Sequence, residues 1–192
     1  MKPIFKIVTA LSFLNCYVVN GQTQFKWNAP ATLLLVPHVG IETTVSKKWT
    51  YQADIAASFW NSFRGDPVKA ALISNEFHYY PKEALKGFYI GPNLTVIDAF
   101  KIRKPGNKGY KIRNRYQTGF NIMMGASTGY MFNLSEKLTL DFTVGGGFGQ
   151  GFMKHYDGNT GQRHDRPEGA PLNKTGEWWP VYRAGVMLGF KL

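Results

Sequence analysis

The chain has 192 residues, 44% apolar and 15% aromatic, with a formal net charge of +11. That is enough apolar material for one domain and excludes a disordered chain. The presence of 21 glycines and 10 prolines among short alternating runs favours an all-β chain over a helical one.

At the N-terminus, Lys2 and Lys6 precede an apolar stretch from Ile7 to Val19, and Val19-Asn20-Gly21 supplies the small residues of a cleavage site. This order predicts a secretory signal over 1–21 and a mature domain over 22–192, starting at Gln22. A lipoprotein signal ending at Cys16 competes, but Phe13-Leu14-Asn15 lacks the small residues such a site wants. The only cysteine leaves with the signal, so disulfides are not expected. Loss of Lys2 and Lys6 lowers the net charge from +11 to +9. An exported chain this basic is expected to meet anionic lipid heads or glycans rather than nucleic acid. After the signal, no run of about 18 apolar residues offers a membrane-spanning helix.

From Gln22 onward a period of two recurs, as in strands. Phe25, Trp27 and Ala29 alternate with Lys26 and Asn28, and this first strand is expected to run on to Val36 despite Pro30. Val39, Ile41, Thr43 and Val45 then oppose Gly40, Glu42 and Thr44. After Ser46-Lys47-Lys48, residues Trp49 to Phe59 set Ile55 and its apolar neighbours against Thr50, Gln52, Asp54 and Ser58. A loop at Arg64-Gly65-Asp66-Pro67 leads to a fourth strand, with Ala71, Ile73, Phe77 and Tyr79 opposite Ser74, Glu76, His78 and Tyr80. Asn75 is a polar exception on its apolar face.

The fifth strand sets Phe88, Ile90, Leu94 and Val96 against Gly87, Tyr89, Gly91, Asn93 and Thr95. Pro92, in its middle, is expected to cost a ladder bond or force a bulge. A basic segment from Lys101 to Arg115 separates it from the sixth, Phe120 to Asn133. The seventh, Leu138 to Tyr156, has Leu138, Leu140, Phe142, Val144, Phe148 and Phe152 on one face. Asp141, Gly145, Gly147, Gly149 and Gly151 lie on the other, a smooth wall for bulkier inward groups. A loop from Asp157 to Glu177 precedes the last strand, whose Tyr182, Ala184, Val186, Leu188 and Phe190 oppose Arg183, Gly185, Gly189 and Lys191.

Eight strands joined alternately by short turns and longer loops predict an all-β, eight-stranded antiparallel up-and-down transmembrane β-barrel. Aromatic residues gather in two tiers, Trp49, Tyr51, Tyr79, Phe88, Tyr130, Phe132 and Phe190 near the turns and Phe59, Phe100, Tyr116, Phe152, Trp178, Trp179 and Tyr182 near the loops. A soluble lipocalin-like barrel shares the strand count but turns its apolar face inward, and alternation alone does not separate the two. The aromatic tiers, the glycine face and the apolar alternation of the last strand favour the membrane barrel.

Several segments resemble a family of uncharacterised small outer-membrane barrels, a domain of unknown function from Bacteroidota. They are Phe25-Lys26-Trp27-Asn28, Gly40-Ile41-Glu42 before Ser46-Lys47-Lys48-Trp49-Thr50, Asn75-Glu76-Phe77-His78-Tyr79-Tyr80, Gly125 to Tyr130, and Ala184-Gly185-Val186. The resemblance implies a barrel and a bacterial outer-membrane address, and it carries no catalytic residues.

Two groups of charged residues are candidates for function. The inner set holds Lys26, Arg183 and Lys191 with Glu42, Asp54, Glu76 and Asp141. An eight-stranded lumen is filled by side chains, so these charges are expected to pair and plug it rather than line an ion path. Asp141 is expected to partner Lys26 or Arg183. The second group, Lys101, Arg103, Lys104, Lys108, Lys111, Arg113 and Arg115, has no acid among it. It fits lipopolysaccharide phosphates or a partner outer-membrane protein.

Ser74, Glu76 and His78 are the residue types of a hydrolase relay, but same-face neighbours on a strand lie about 7 Å apart. His155, Asp157, His164 and Asp165 lack tight metal-ligand spacing. Gly145 to Gly151 lacks the Lys-Ser/Thr of a phosphate loop. The expected role is therefore non-enzymatic, structural or accessory, as a subunit of a larger outer-membrane complex, with no cofactor. A lipid-modifying enzyme and a narrow pore for small solutes are the alternatives.

Overall fold

The computed structural model describes residues 21–61, 65, 67–103, 115–167 and 169–192. The expected signal thus lies, but for Gly21, outside the described residues. The strands are β1 (Thr23–Trp27), β2 (His38–Thr44), β3 (Trp49–Ser58), β4 (Val68–Tyr79), β5 (Gly87–Ile102), β6 (Arg115–Asn133), β7 (Leu138–Asp157) and β8 (Asn173–Lys191). Each pairs antiparallel with the next, and β8 returns to β1 through Phe25 opposite Phe190, closing the sheet into a barrel. Every strand thus has a partner on both sides, although β8 meets the short β1 only over Leu188 to Lys191.

The inner face belongs to the charged set. Lys26, Glu42, Asp54, Glu76, His78 and Asp141 are at most 1% exposed, whereas Ile41, Ile55 and Met124 on the opposite face are 53–57% exposed. This is the reverse of a lipocalin-like interior. Asn75, on the outer face, is satisfied there by the Tyr51 hydroxyl of the neighbouring strand.

Three departures from the alternating pattern have local causes. First, the expected continuation of β1 to Val36 is instead a one-turn helix, α1 (Ala29–Leu33). Asn28 caps it, its side chain accepting the Ala31 N–H at 3.0 Å, and Pro30 near the start has no N–H to lose there. Second, β8 begins at Asn173, inside the expected loop. Its first residues are recruited by the long partner strand, Asn173 opposite Met153 and Gly176 opposite Gln150. The register slips between Gly145 and Gly147, beside Pro180, which cannot donate to a ladder. Through this bulge Tyr182, expected on the outer face, donates its hydroxyl hydrogen bond to Asn93 of β5 on the inner side. Trp179, also expected outside, lies against the bare α-carbon of Gly149.

Third, Pro92 costs ladder pairing without a bulge. The β4–β5 register carries unchanged from Glu76 opposite Asn93 to Tyr79 opposite Ile90, with the intervening positions unpaired.

The three short turns lie at one end of the barrel. The Ala84 N–H bonds the Lys47 carbonyl across two of them, and the Lys191 N–H bonds the Lys137 carbonyl at the third. From the β4–β5 turn, Leu85 folds inward and packs with Tyr80, Tyr89 and Met131, closing this mouth of the barrel. It does so at φ +63, a left-handed conformation costly for a branched side chain. Leu85→Ala is expected to lower the unfolding free energy by about 2–3 kcal/mol, since the packing lost outweighs a strain that alanine keeps. Urea unfolding followed by tryptophan fluorescence would measure it.

Candidate functional site

The inner faces of β1 to β4, β7 and β8 bring the predicted charges into one network. Lys26 of β1 reaches Glu42 on β2 at 2.8 Å and crosses the lumen to Asp141 on β7 at 2.5 Å. Its third donor goes to the Gln52 carbonyl oxygen at 2.6 Å. An ammonium has three hydrogens, and all three are used. Glu42 also accepts from Gln24 at 2.9 Å, Thr50 at 2.5 Å and Tyr80 at 3.0 Å, while Tyr89 donates to Asp141 at 2.9 Å.

A second cluster lies nearer the loop end. Arg183 of β8 crosses to Glu76 on β4 at 2.5 Å and to Asp54 on β3. Ser127 donates to Glu76, and Gln52 donates to Asp54 at 2.9 Å, so Gln52 ties the two clusters together. His78 forms a second tie, its Nδ1 3.0 Å from Glu42 and its Nε2 3.4 Å from Glu76. With a carboxylate oxygen on both sides, the ring serves both only as the doubly protonated cation. Three cations thus face four carboxylates. Lys191, the remaining inward charge expected from sequence, stays half-exposed at the strand end.

Burial without pairing would cost several kcal/mol per charge, so the pairing is what permits charges at this depth. The space for it comes from glycine. A β-carbon on Gly40 would strike the Asp54 carboxylate, one on Gly129 the Tyr89 phenol, and one on Gly145 would lie 3.1 Å from the Asn93 side-chain nitrogen. Gln24, Thr50, Gln52, Tyr80, Tyr89 and Ser127 were not singled out as network members by sequence. All share the inner parity of their strands, which is the signal that points to them. Which of them meet across the lumen depends on barrel shear, which parity does not encode.

The relay suggested by Ser74, Glu76 and His78 is not assembled. Ser74 pairs with Thr95 at 2.7 Å, and His78 is held between carboxylates. At the end of β7, Asp157 accepts the backbone N–H groups of Asn159 and Thr160 from the loop that follows, and the rings of His155 and His164 stand 6.1 Å apart. Arg163 pins this loop, donating to Asp165 at 2.8 Å and to the carbonyl of Pro171 at 2.8 Å. Partial burial works against the Asp165 charge, but the hydrogen bond from Arg163 prevails and holds its carboxyl down at about 2. No group of three or more His, Cys, Asp or Glu residues suited to a metal occurs among the described residues.

Of the basic segment, Lys101 lies at the end of β5, its ammonium 4.4 Å over the Tyr116 ring, and Arg103 directly follows that strand. Arg115 opens β6 opposite Asp157, so an acid does stand beside this group. Lys104, Lys108, Lys111 and Arg113 lie outside the described residues.

No curated protein and no solved structure matches the chain. The model of DUF3575, a protein family of unknown function, matches residues 5–192, and the chain belongs to that family.

Proposed function

We propose that this protein is a non-enzymatic barrel of the bacterial outer membrane, exported by its N-terminal signal and serving a structural or accessory role within a larger surface assembly. One observation carries the reading: the barrel is charged inside and apolar outside. A water-surrounded barrel gains nothing from exposing Ile41, Ile55, Phe77 and Met124 while burying Lys26 and Glu42, whereas a bilayer rewards that arrangement.

The outer aromatic pairs support it. Trp49 with Tyr79 (5.1 Å) and Tyr130 with Phe132 (4.5 Å) sit near the turns, and Phe59 with Phe100 (6.1 Å) and Phe148 with Trp178 (5.9 Å) sit toward the loops. Aromatic rings favour both membrane interfaces. β1, with five residues, is shorter than the roughly 9–11 residues a spanning strand needs. Where it ends, α1 and its C-terminal flank turn out Leu33, Leu34 and Leu35, at 82%, 62% and 53% exposure. These leucines continue the apolar surface that the strand leaves short.

The paired network fills the lumen, which favours a structural plug over a solute pore, and the unassembled serine relay favours a non-enzymatic role over lipid modification. The cations around Lys101, Arg103 and Arg115 would then meet lipopolysaccharide phosphates or a partner protein at the loop end. The full chain, diluted from urea into detergent or lipid vesicles, is expected to give a gel band that runs faster unboiled than boiled. A chain that folds in plain buffer and floats with neither would overturn the reading.

A further inference from the structure

The turn end of the barrel carries Lys47 and Lys48 between β2 and β3, Lys82 and Lys86 between β4 and β5, Lys137 between β6 and β7, and Lys191 at the end of β8. Glu83 and Glu136 are the acidic side chains in the same turns. Among the described residues none of these lysines meets a carboxylate within ion-pairing distance. We propose that this lysine rim, set directly below the outer apolar belt, binds the phosphate headgroups of anionic phospholipids; the inference rests on the membrane reading above.

Two features select lipid over a docked protein. The lysines come from every turn and from the last strand, so the positive charge encircles the barrel rather than marking one face. A partner that contacts all of it must itself surround the barrel, as a lipid leaflet does. Each turn also joins the charge to an outward apolar residue within two positions: Lys48 to Trp49, Lys86 to Phe88 and Lys137 to Leu138. A lysine so placed lays its methylene stem along acyl chains and lifts its ammonium to the phosphate level. Compact ammonium charges also suit mobile phosphates, which demand no fixed bidentate geometry.

The full chain should be diluted from urea into phosphatidylcholine vesicles and into vesicles containing roughly one third phosphatidylglycerol, with insertion read by the heat-shifted gel band. Insertion is expected to be about tenfold faster with the anionic lipid, and the advantage to vanish at about 0.5 M salt. A variant carrying Lys47→Glu, Lys48→Glu, Lys82→Glu and Lys86→Glu should lose the advantage while inserting into phosphatidylcholine at the wild-type rate. Equal wild-type rates in both vesicles, or an advantage kept by the variant, overturn the proposal. Should the glutamate set not fold, the four corresponding glutamine substitutions decide by the same comparison. Failure of the wild type to insert into either vesicle overturns the membrane reading instead.

Discussion

Lys26→Met is expected to lower the unfolding free energy by about 3–5 kcal/mol, more than a loss of packing volume would explain. Methionine matches the stem of lysine, so the space stays filled. What disappears is the one cation that Glu42 and Asp141 share, at 2.8 and 2.5 Å, with all three groups fully buried. Each carboxylate keeps neutral donors, among them Thr50 and Tyr80 for Glu42 and Tyr89 for Asp141, but hydrogen bonds do not cancel a net charge held away from water. His78 remains beside Glu42 and lies on no bond to Asp141, so Asp141 carries most of the penalty.

Adding Asp141→Asn to Lys26→Met should therefore recover at least half of the loss. A double-mutant cycle by urea unfolding of the barrel in detergent micelles measures the coupling. Additive losses would mean that the Lys26–Asp141 contact contributes nothing of its own.

The parity of the strands makes the two faces of this barrel legible in the sequence, and the aromatic tiers, the glycine face and the last strand point to the charged face as the inner one. Lys26, Glu42, Asp54, Glu76, Asp141 and Arg183 alternate with mostly apolar neighbours, Thr43 and Asn75 being the polar ones, and a period of two admits only two faces. What parity left open is where the chain breaks its own rule. Pro30 was read as an irregularity within a strand, yet Asn28 three residues before Ala31 is a helix cap. Alternation with Arg183 places Tyr182 outside, and the slip beside Pro180 breaks that alternation; Trp179, which the loop-side aromatic tier places outside, shares the parity of Arg183 and lies inward. In both cases a proline removed a ladder donor, and the neighbouring chain, not the local pattern, decided what replaced the lost bond. The pairing of Arg183 with Asp54 and Glu76, while Asp141 goes to Lys26, likewise depends on which inner residues shear brings level across the lumen.

Gly91→Ala is expected to be among the most damaging single methyl additions in the chain, costing about 4 kcal/mol or preventing closure altogether. The residue follows a simple inward parity and looks like one more member of the smooth interior. Its role is set by the next position. Pro92 has no N–H, so β4 and β5 lose their pairing between Glu76–Asn93 and Tyr79–Ile90, and the two backbones come together there without the usual ladder. A β-carbon on Gly91 would run into the carbonyl group of Phe77 and lie 3.2 Å from the α-carbon of His78. Both are backbone atoms, which cannot swing aside as a side chain can. Relief requires moving β4 away from β5, and Glu76 and His78 would move with it, displacing them relative to Ser127 of β6 and Glu42 of β2. Gly145→Ala supplies the contrast: its added carbon meets the Asn93 side chain at 3.1 Å, the Ala126 carbonyl oxygen at 3.2 Å and the Ser127 β-carbon at 3.3 Å, contacts that a rotamer change of Asn93 and a shift of a few tenths of an ångström relieve. Gly145→Ala is expected to keep the heat-shifted gel band of a closed barrel, and Gly91→Ala to lose most of it. Equal band intensities would show that the strands at Pro92 separate without cost.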